Sequence, residues 1–287
     1  MDNMQNIQWF PGHMTKTRRA ITRDLSLVDA VIEVLDARIP LSSRNPDIAA
    51  LIGNTPSVIL LNKCDMADPA ATRRWVDALS GDRTAALAVN CKTGLGVDKL
   101  QPLLQRLLSD KLDGLRRKGM LNPSMRAMIV GIPNVGKSTF INRIAGRNKA
   151  KASDRPGVTR GNQWFTVSKG FEILDTPGVL WPKFDDPQVG ERLAFTGAIK
   201  DNIMDIELLA VRLLDLLRVL RPTAFIERFR LSDEELMLSS YDLLSLIASR
   251  RGMLVRGGEA DTERASAMLL DEFRSSKLGR ITLELPS

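Results

Sequence analysis

The octapeptide Gly131-Ile132-Pro133-Asn134-Val135-Gly136-Lys137-Ser138 narrows the folds open to this chain more than any other stretch. It follows the apolar run Ala127-Met128-Ile129-Val130 and opens a segment with helical spacing, so the pattern Gly-x-x-x-x-Gly-Lys-Ser has the strand, loop and helix around it that it requires. In that setting successive backbone N–H groups wrap phosphate, from Asn134, Val135 and Gly136 into Thr139. Lys137 reaches the outer two phosphates as a point charge, and the Ser138 hydroxyl ligates magnesium.

The rest of the first two-thirds has the matching alternation. Val28–Leu35, Ser57–Leu61 and Ala85–Val89 are short, apolar, β-branched or small-residue runs that read as buried parallel strands. Amphipathic helical patterns over 69–80 and 97–108 separate them, which predicts a doubly wound, predominantly parallel α/β sheet. The polar, Gly/Pro-punctuated stretch 109–124 reads as a join between two halves.

Base specificity comes from Asn62-Lys63-Cys64-Asp65 at the end of the second run. A carboxylate accepts two hydrogen bonds from guanine N1–H and its exocyclic amine, whereas adenine would leave it unpaired. Asn90-Cys91-Lys92, one strand–helix–strand unit later, falls where a backbone amide meets guanine O6. Asp175-Thr176-Pro177-Gly178 follows the run Phe171–Leu174 with the Asp-x-x-Gly spacing that holds magnesium through a water and senses a γ-phosphate through the Gly178 amide. Upstream, Thr159 in Pro156-Gly157-Val158-Thr159 is the candidate threonine that closes on magnesium. These motifs exist in an unusual order, because the guanine-reading tetrapeptide precedes the phosphate loop. The chain reads as a guanine-nucleotide domain cut open and rejoined, that is, circularly permuted.

With 44% hydrophobic and 26% charged residues the chain has an ordinary globular balance, and it has no apolar run of membrane-spanning length. Its opening residues carry neither a secretory nor a presequence pattern, so the expectation is a cytoplasmic protein. Cys64 and Cys91 cannot make a disulfide framework or a zinc module. The net charge of +7 is uneven: residues 1–190 hold 27 Lys and Arg against 18 Asp and Glu, and residues 191–287 hold 14 against 16. Lys16, Arg18, Arg19 and Arg23, and Arg143 through Arg160, concentrate the excess and suit a nucleic-acid backbone or, equally, a solvated face. With a single tyrosine and scattered Trp and Phe, no aromatic platform for stacked bases is present.

After Gly178 the periodicity is helical. Leu208, Leu209, Leu213, Leu216 and Leu217 are spaced for one buried stripe, Ser232-x-x-Glu235 has capping-box spacing, and Arg250-Arg251-Gly252 reads as a helix end. The division expected is a nucleotide domain over 1–185, with a helix over 14–25, and a small all-α domain over 186–287.

Together these residues, with Trp9-Phe10-Pro11-Gly12-His13-Met14, Asp36-Ala37-Arg38-Ile39-Pro40 and Val179-Leu180-Trp181-Pro182, resemble the circularly permuted GTPases of ribosome assembly, specifically the bacterial ribosome biogenesis GTPase A family. The resemblance covers nearly the whole chain; Cys64 replaces another small residue common among relatives. It implies GTP hydrolysis to GDP in late maturation of the large ribosomal subunit, stimulation by that particle, and a carboxy-terminal domain that docks on ribosomal RNA or protein. It also implies Mg²⁺. By similarity to potassium-activated GTPases it implies a K⁺ ion held in part by Asn134, whose other reading is a loop-stabilising Asn turn.

Val179 stands where many GTPases place a water-orienting glutamine, and an apolar side chain cannot orient water. The resemblance points to His13, the only histidine, as the catalytic group. The permutation makes this physically reasonable, since cutting the chain before the strand at 28–35 leaves residues 9–25 beside Val179. Two other functional readings stand beside the assembly GTPase: a nucleotide-gated RNA-binding switch with incidental turnover, and an ATP-dependent enzyme, which leaves Asp65 unexplained.

Overall fold

The computed structural model describes residues 19–146, 163–178, 180, 186–199, 201 and 204–286. His13, Thr159, Val179 and the first residues of the expected 14–25 helix lie outside them. A six-stranded sheet runs in the order β3-β2-β1-β4-β6-β5, formed by β1 (Ala30–Asp36), β2 (Ser57–Asn62), β3 (Thr84–Ala88), β4 (Met125–Val130), β5 (Gln163–Ser168) and β6 (Phe171–Asp175). All pairings are parallel except β5 with β6. The two halves of the chain meet at β1 and β4, where Ala30 through Glu33 align with Ala127 through Val130.

Alternate residues of each strand serve opposite faces. Val31, Met128, Val130 and Leu174 pack under α1 (described over 19–25) and α2 (Pro46–Ile52), while Leu35, Ile59 and Leu61 pack under Trp75 of α3 (Pro69–Leu79). Ile32, Val34, Val58, Leu60 and Ile129 face α4 (Leu100–Leu107) and α6 (Lys137–Ile144). Cover on both faces explains why the strands are near-continuous apolar runs rather than alternating ones. The helices start where side chains cap them: Asn45 and Asp68 each accept two backbone N–H bonds, each followed by a proline at the first helical position.

The stretch 109–124, read from the sequence as a join between the two halves, contains regular structure. Ser109–Arg117 is a helix, α5, that follows α4 after Leu108, whose carbonyl accepts from the Leu112 N–H. Leu112 is its one buried anchor, and ion pairs from Lys111 to Asp29 and Arg116 to Asp113 stabilise its polar faces. With so short an apolar stripe, the Gly and Pro residues beyond it dominated the sequence pattern.

Among the described residues six further helices follow: α7 (Pro187–Phe195), α8 (Ile206–Leu220), α9 (Pro222–Phe229), α10 (Asp233–Leu236), α11 (Ser240–Arg250) and α12 (Thr262–Arg274). α8 is the hub, packed on α7, α9, α11 and α12. Its buried stripe is Leu209, Ala210, Leu213, Leu214 and Leu217; Leu208 is exposed and Leu216 half-buried, so the stripe lies one residue around the helix from that expected. The capping box at Ser232 and Glu235 is formed. Beyond α12, residues 280–286 return to the sheet domain, where the Ile281 N–H donates to the Met66 carbonyl and the Leu283 N–H to that of Arg38.

Candidate functional site: the nucleotide loops at the carboxyl ends of the strands

Loops leaving β1, β2, β3, β4 and β6 at their carboxyl ends converge on one rim of the sheet, the place where open α/β sheets bind ligands. The phosphate loop spans β4 and α6. Gly136 has φ 105°, and a side chain there would collide with Asn62 Nδ2, so both the backbone conformation and the space require glycine. Lys137 curls back over its own loop and donates to the carbonyls of Gly131 at 2.9 Å and Ile132 at 2.8 Å. Burial lowers its pKa to about 8, against the opposing pull of Asp175. Ser138 and Thr139 occupy the first turn of α6, where helix N–H groups lack intrahelical acceptors.

Asn62 joins the base-reading turn to the phosphate loop. Its Nδ2 donates to the Val135 carbonyl at 2.7 Å and its Oδ1 accepts from the Cys91 N–H at 2.9 Å. Both polar ends of this buried amide are therefore used within the protein. Lys63, with φ 59°, places its Nζ 2.9 Å from Asp36 Oδ2, and Arg38 pairs with the same carboxylate at 2.7 Å. Burial pushes the Asp36 carboxyl up, but the two cations outweigh it and hold the group well below the usual carboxylate range. Asp65 is exposed at the rim, and Asn90 closes its own turn by accepting from the N–H groups of Lys92 and Thr93. Cys64 and Cys91 are buried free thiols, and burial pushes Cys91 up to about 12. Neither is poised for chemistry.

The Asp-x-x-Gly segment stands over the phosphate loop. Asp175 ends β6 as a buried carboxylate, and Thr176 Oγ1 donates to the Ile129 carbonyl at 2.6 Å, locking the turn to β4. A Cβ on Gly178 would lie 2.7 Å from Lys137 Nζ and 3.0 Å from the Pro133 nitrogen. Asn134, at φ 61°, donates through Nδ2 to the Gly197 carbonyl at 2.8 Å, just beyond α7. The phosphate loop is thereby bonded directly to the helical region.

Sequence reasoning missed two parts of this site. In the sequence Asp36 and Arg38 stand out only as part of a family motif, yet the Asp36 carboxylate, paired with Arg38, orients Lys63. Residues 280–284, which grip the base-reading turn, carry no motif at all; only tertiary contact reveals them.

Phosphate loop, base-reading turn and Asp-x-x-Gly segment on one rim, with the base-reading half of the sheet first in the chain, define a circularly permuted P-loop GTPase. A sequence profile described as "50S ribosome-binding GTPase" matches residues 126–237, beginning at β4 and thus downstream of the base-reading half. The ribosome biogenesis GTPase A of Priestia megaterium is 47% identical over 282 residues, covering 98% of this chain and 97% of the relative. That of Thermotoga maritima is 30% identical, with 98% and 95% covered. The GDP-bound structure of YlqF from T. maritima superposes with a TM-score of 0.67 at 27% identity, covering 93% of this chain and 99% of that one. Its GNP-bound form gives 0.66 at the same identity, over 95% and 99%. The chain belongs to the ribosome biogenesis GTPase A family, and it is a GTPase of ribosome biogenesis.

Proposed function

We propose that this GTPase acts in late maturation of the large ribosomal subunit, that the particle stimulates its hydrolysis, and that residues 186–287 form the docking domain. The observation that carries this reading is the Asn134 to Gly197 hydrogen bond, because it lets a displacement of the helical region reach the phosphate loop directly. Arg274 of α12 reinforces the route by donating to the Ala194 and Phe195 carbonyls at 2.7 and 3.1 Å. The bond also favours a structural role for the Asn134 side chain over K⁺ ligation in this conformation. Among the described residues no helix is long and apolar enough to cross a membrane, and the proposed setting is the cytoplasm.

In this reading Asp65 reads guanine, with Lys63 alongside and the Asn90-Cys91-Lys92 turn facing O6, while Asn62 holds the two loops through the Val135 carbonyl and the Cys91 N–H. Lys137 engages the outer phosphates and Gly178 senses the γ-phosphate. The donors suit magnesium: Ser138 and Asp175 offer hard oxygens, with Thr159 as a further ligand. When bound, Mg²⁺ would neutralise charge developing on the phosphate oxygens. His13 is the proposed water-orienting residue.

The test is GTP hydrolysis by the wild type and by His13→Ala, alone and with purified large subunits, in potassium and in sodium buffer. Strong stimulation of the wild type and none of the variant, with unchanged GTP binding, is the expected result. Equal stimulation of both removes His13 from catalysis. Stimulation of neither overturns the assembly role and favours a nucleotide-gated RNA switch.

A further inference from the structure

The base-reading turn is held from outside the nucleotide domain. Arg280 Nη2 donates to the Cys64 carbonyl at 2.8 Å and its Nε to the Ala67 carbonyl at 2.9 Å, while the Ile281 N–H donates to the Met66 carbonyl between them at 3.0 Å. Thr282 Oγ1 accepts from the Asp68 N–H at 3.0 Å. From the start of α9, Arg221 pairs with the Asp68 carboxylate and donates to the Arg280 carbonyl at 3.1 Å. The segment therefore straps the helical region to the turn that contains Asp65.

Asp65 needs such support. Its side chain is exposed and must lie in the plane of the base to accept two hydrogen bonds, so its direction depends on the backbone on either side. Residue 63 already has a left-handed backbone, at φ 59°, which bends the chain sharply into the turn. Arg280 fits the task because its guanidinium is a rigid planar fork, and two donors of one plane fix the separation of the Cys64 and Ala67 carbonyls. A lysine has a single ammonium on a flexible stem and cannot hold both with the same geometry.

We propose that Arg280 is a positioning residue for guanine specificity: the strap sets the orientation of Asp65, so that base discrimination depends on how the helical region is seated. This rests on the guanine-reading role of Asp65 proposed above. Because coupling of this kind is reciprocal, guanine nucleotide in turn stabilises the seated helical region.

The experiment measures the affinity of the full chain for GDP and for inosine diphosphate, which lacks the exocyclic amine, by titration calorimetry. In Arg280→Ala, loss of two net hydrogen bonds' worth of positioning should weaken GDP by about tenfold. Inosine diphosphate should weaken less, so that the preference for GDP shrinks, and Arg280→Lys should recover part of it. Melting curves of each variant establish that the fold is kept before the affinities are compared. Asp65→Asn, tested against xanthosine diphosphate, separates the two layers of the argument. If it shifts preference to xanthine while Arg280→Ala leaves the GDP preference unchanged, or weakens both nucleotides equally, the strap proposal is overturned and base reading stands. If Asp65→Asn gains nothing for xanthine, the assignment of Asp65 falls and the proposal with it.

Discussion

Asn62 and Val135 are 73 residues apart in sequence, yet the side chain of the first donates to the carbonyl of the second at 2.7 Å inside the protein. This bond, with the Cys91 N–H on the same amide, holds base and phosphate loops in one frame. Asn62→Ala would leave the Val135 carbonyl and the Cys91 N–H without these partners, at a cost of about 1–3 kcal/mol each for a buried group. The expected result is a lower melting temperature and weaker GDP binding, with bound nucleotide restoring part of the stability; unchanged melting would refute it.

Lys137 has its pKa lowered to about 8 by burial, and phosphates bound as proposed would raise it again. Below that value the lysine is already charged and binding takes up no proton; above it, binding must protonate the amine. GDP affinity should therefore fall as pH rises through about 8, with proton uptake visible as buffer-dependent binding enthalpy. Flat affinity across this window would mean that the lysine keeps its charge without phosphate.

Gly178 leaves no room for a side chain, with Lys137 Nζ 2.7 Å and the Pro133 nitrogen 3.0 Å from the place a Cβ would take. The lysine can swing aside, but the proline backbone cannot. Gly178→Ala should spare GDP binding, weaken a non-hydrolysable GTP analogue by about tenfold and abolish hydrolysis, as expected if about 1.4 kcal/mol of γ-phosphate contact is lost. Equal binding of both nucleotides by the variant would place the γ-phosphate sensor elsewhere.

Asp36 carries the charge balance of a buried cluster with Arg38 and Lys63. Its folded-state pKa lies below the ordinary 3.8, so its stabilisation is complete above that value and is lost as pH falls below it toward the folded value. Asp36→Ala should destabilise by about 3–5 kcal/mol at neutral pH, because two cations remain without their counter-charge. Denaturant titrations across the acid range should show the wild type losing stability more steeply than the variant.

The sheet was readable because its strands are buried on both faces, which leaves short apolar runs such as Ser57–Asn62 that no other environment requires. The loops proposed to hold nucleotide were readable because their motifs fix residue type and spacing locally, as Gly-x-x-x-x-Gly-Lys-Ser does at Gly131–Ser138. The helix at Ser109–Arg117 was hidden because Leu112 is its only buried residue. Rotation of the α8 stripe was hidden because Leu208 through Leu217 contain more leucines than one face can bury, and packing on α11 and α12 decides which turn inward. The Arg280 contacts were hidden for a deeper reason: a guanidinium bonded to backbone carbonyls 213 and 216 residues away leaves no pattern in either segment.

That separation in sequence bears on how the protein is made. In a chain built from its amino end, the turn containing Asp65 is complete long before Arg280 exists, as β1 is before β4, its partner strand. Vectorial synthesis therefore yields a base-reading half that lacks both its central neighbour and its clamp, and these high-separation contacts must close late against their loop entropy. The turn proposed to read guanine is therefore braced only once synthesis has passed Arg280, 216 residues beyond Cys64, so the grip on that turn is a late acquisition of the growing chain.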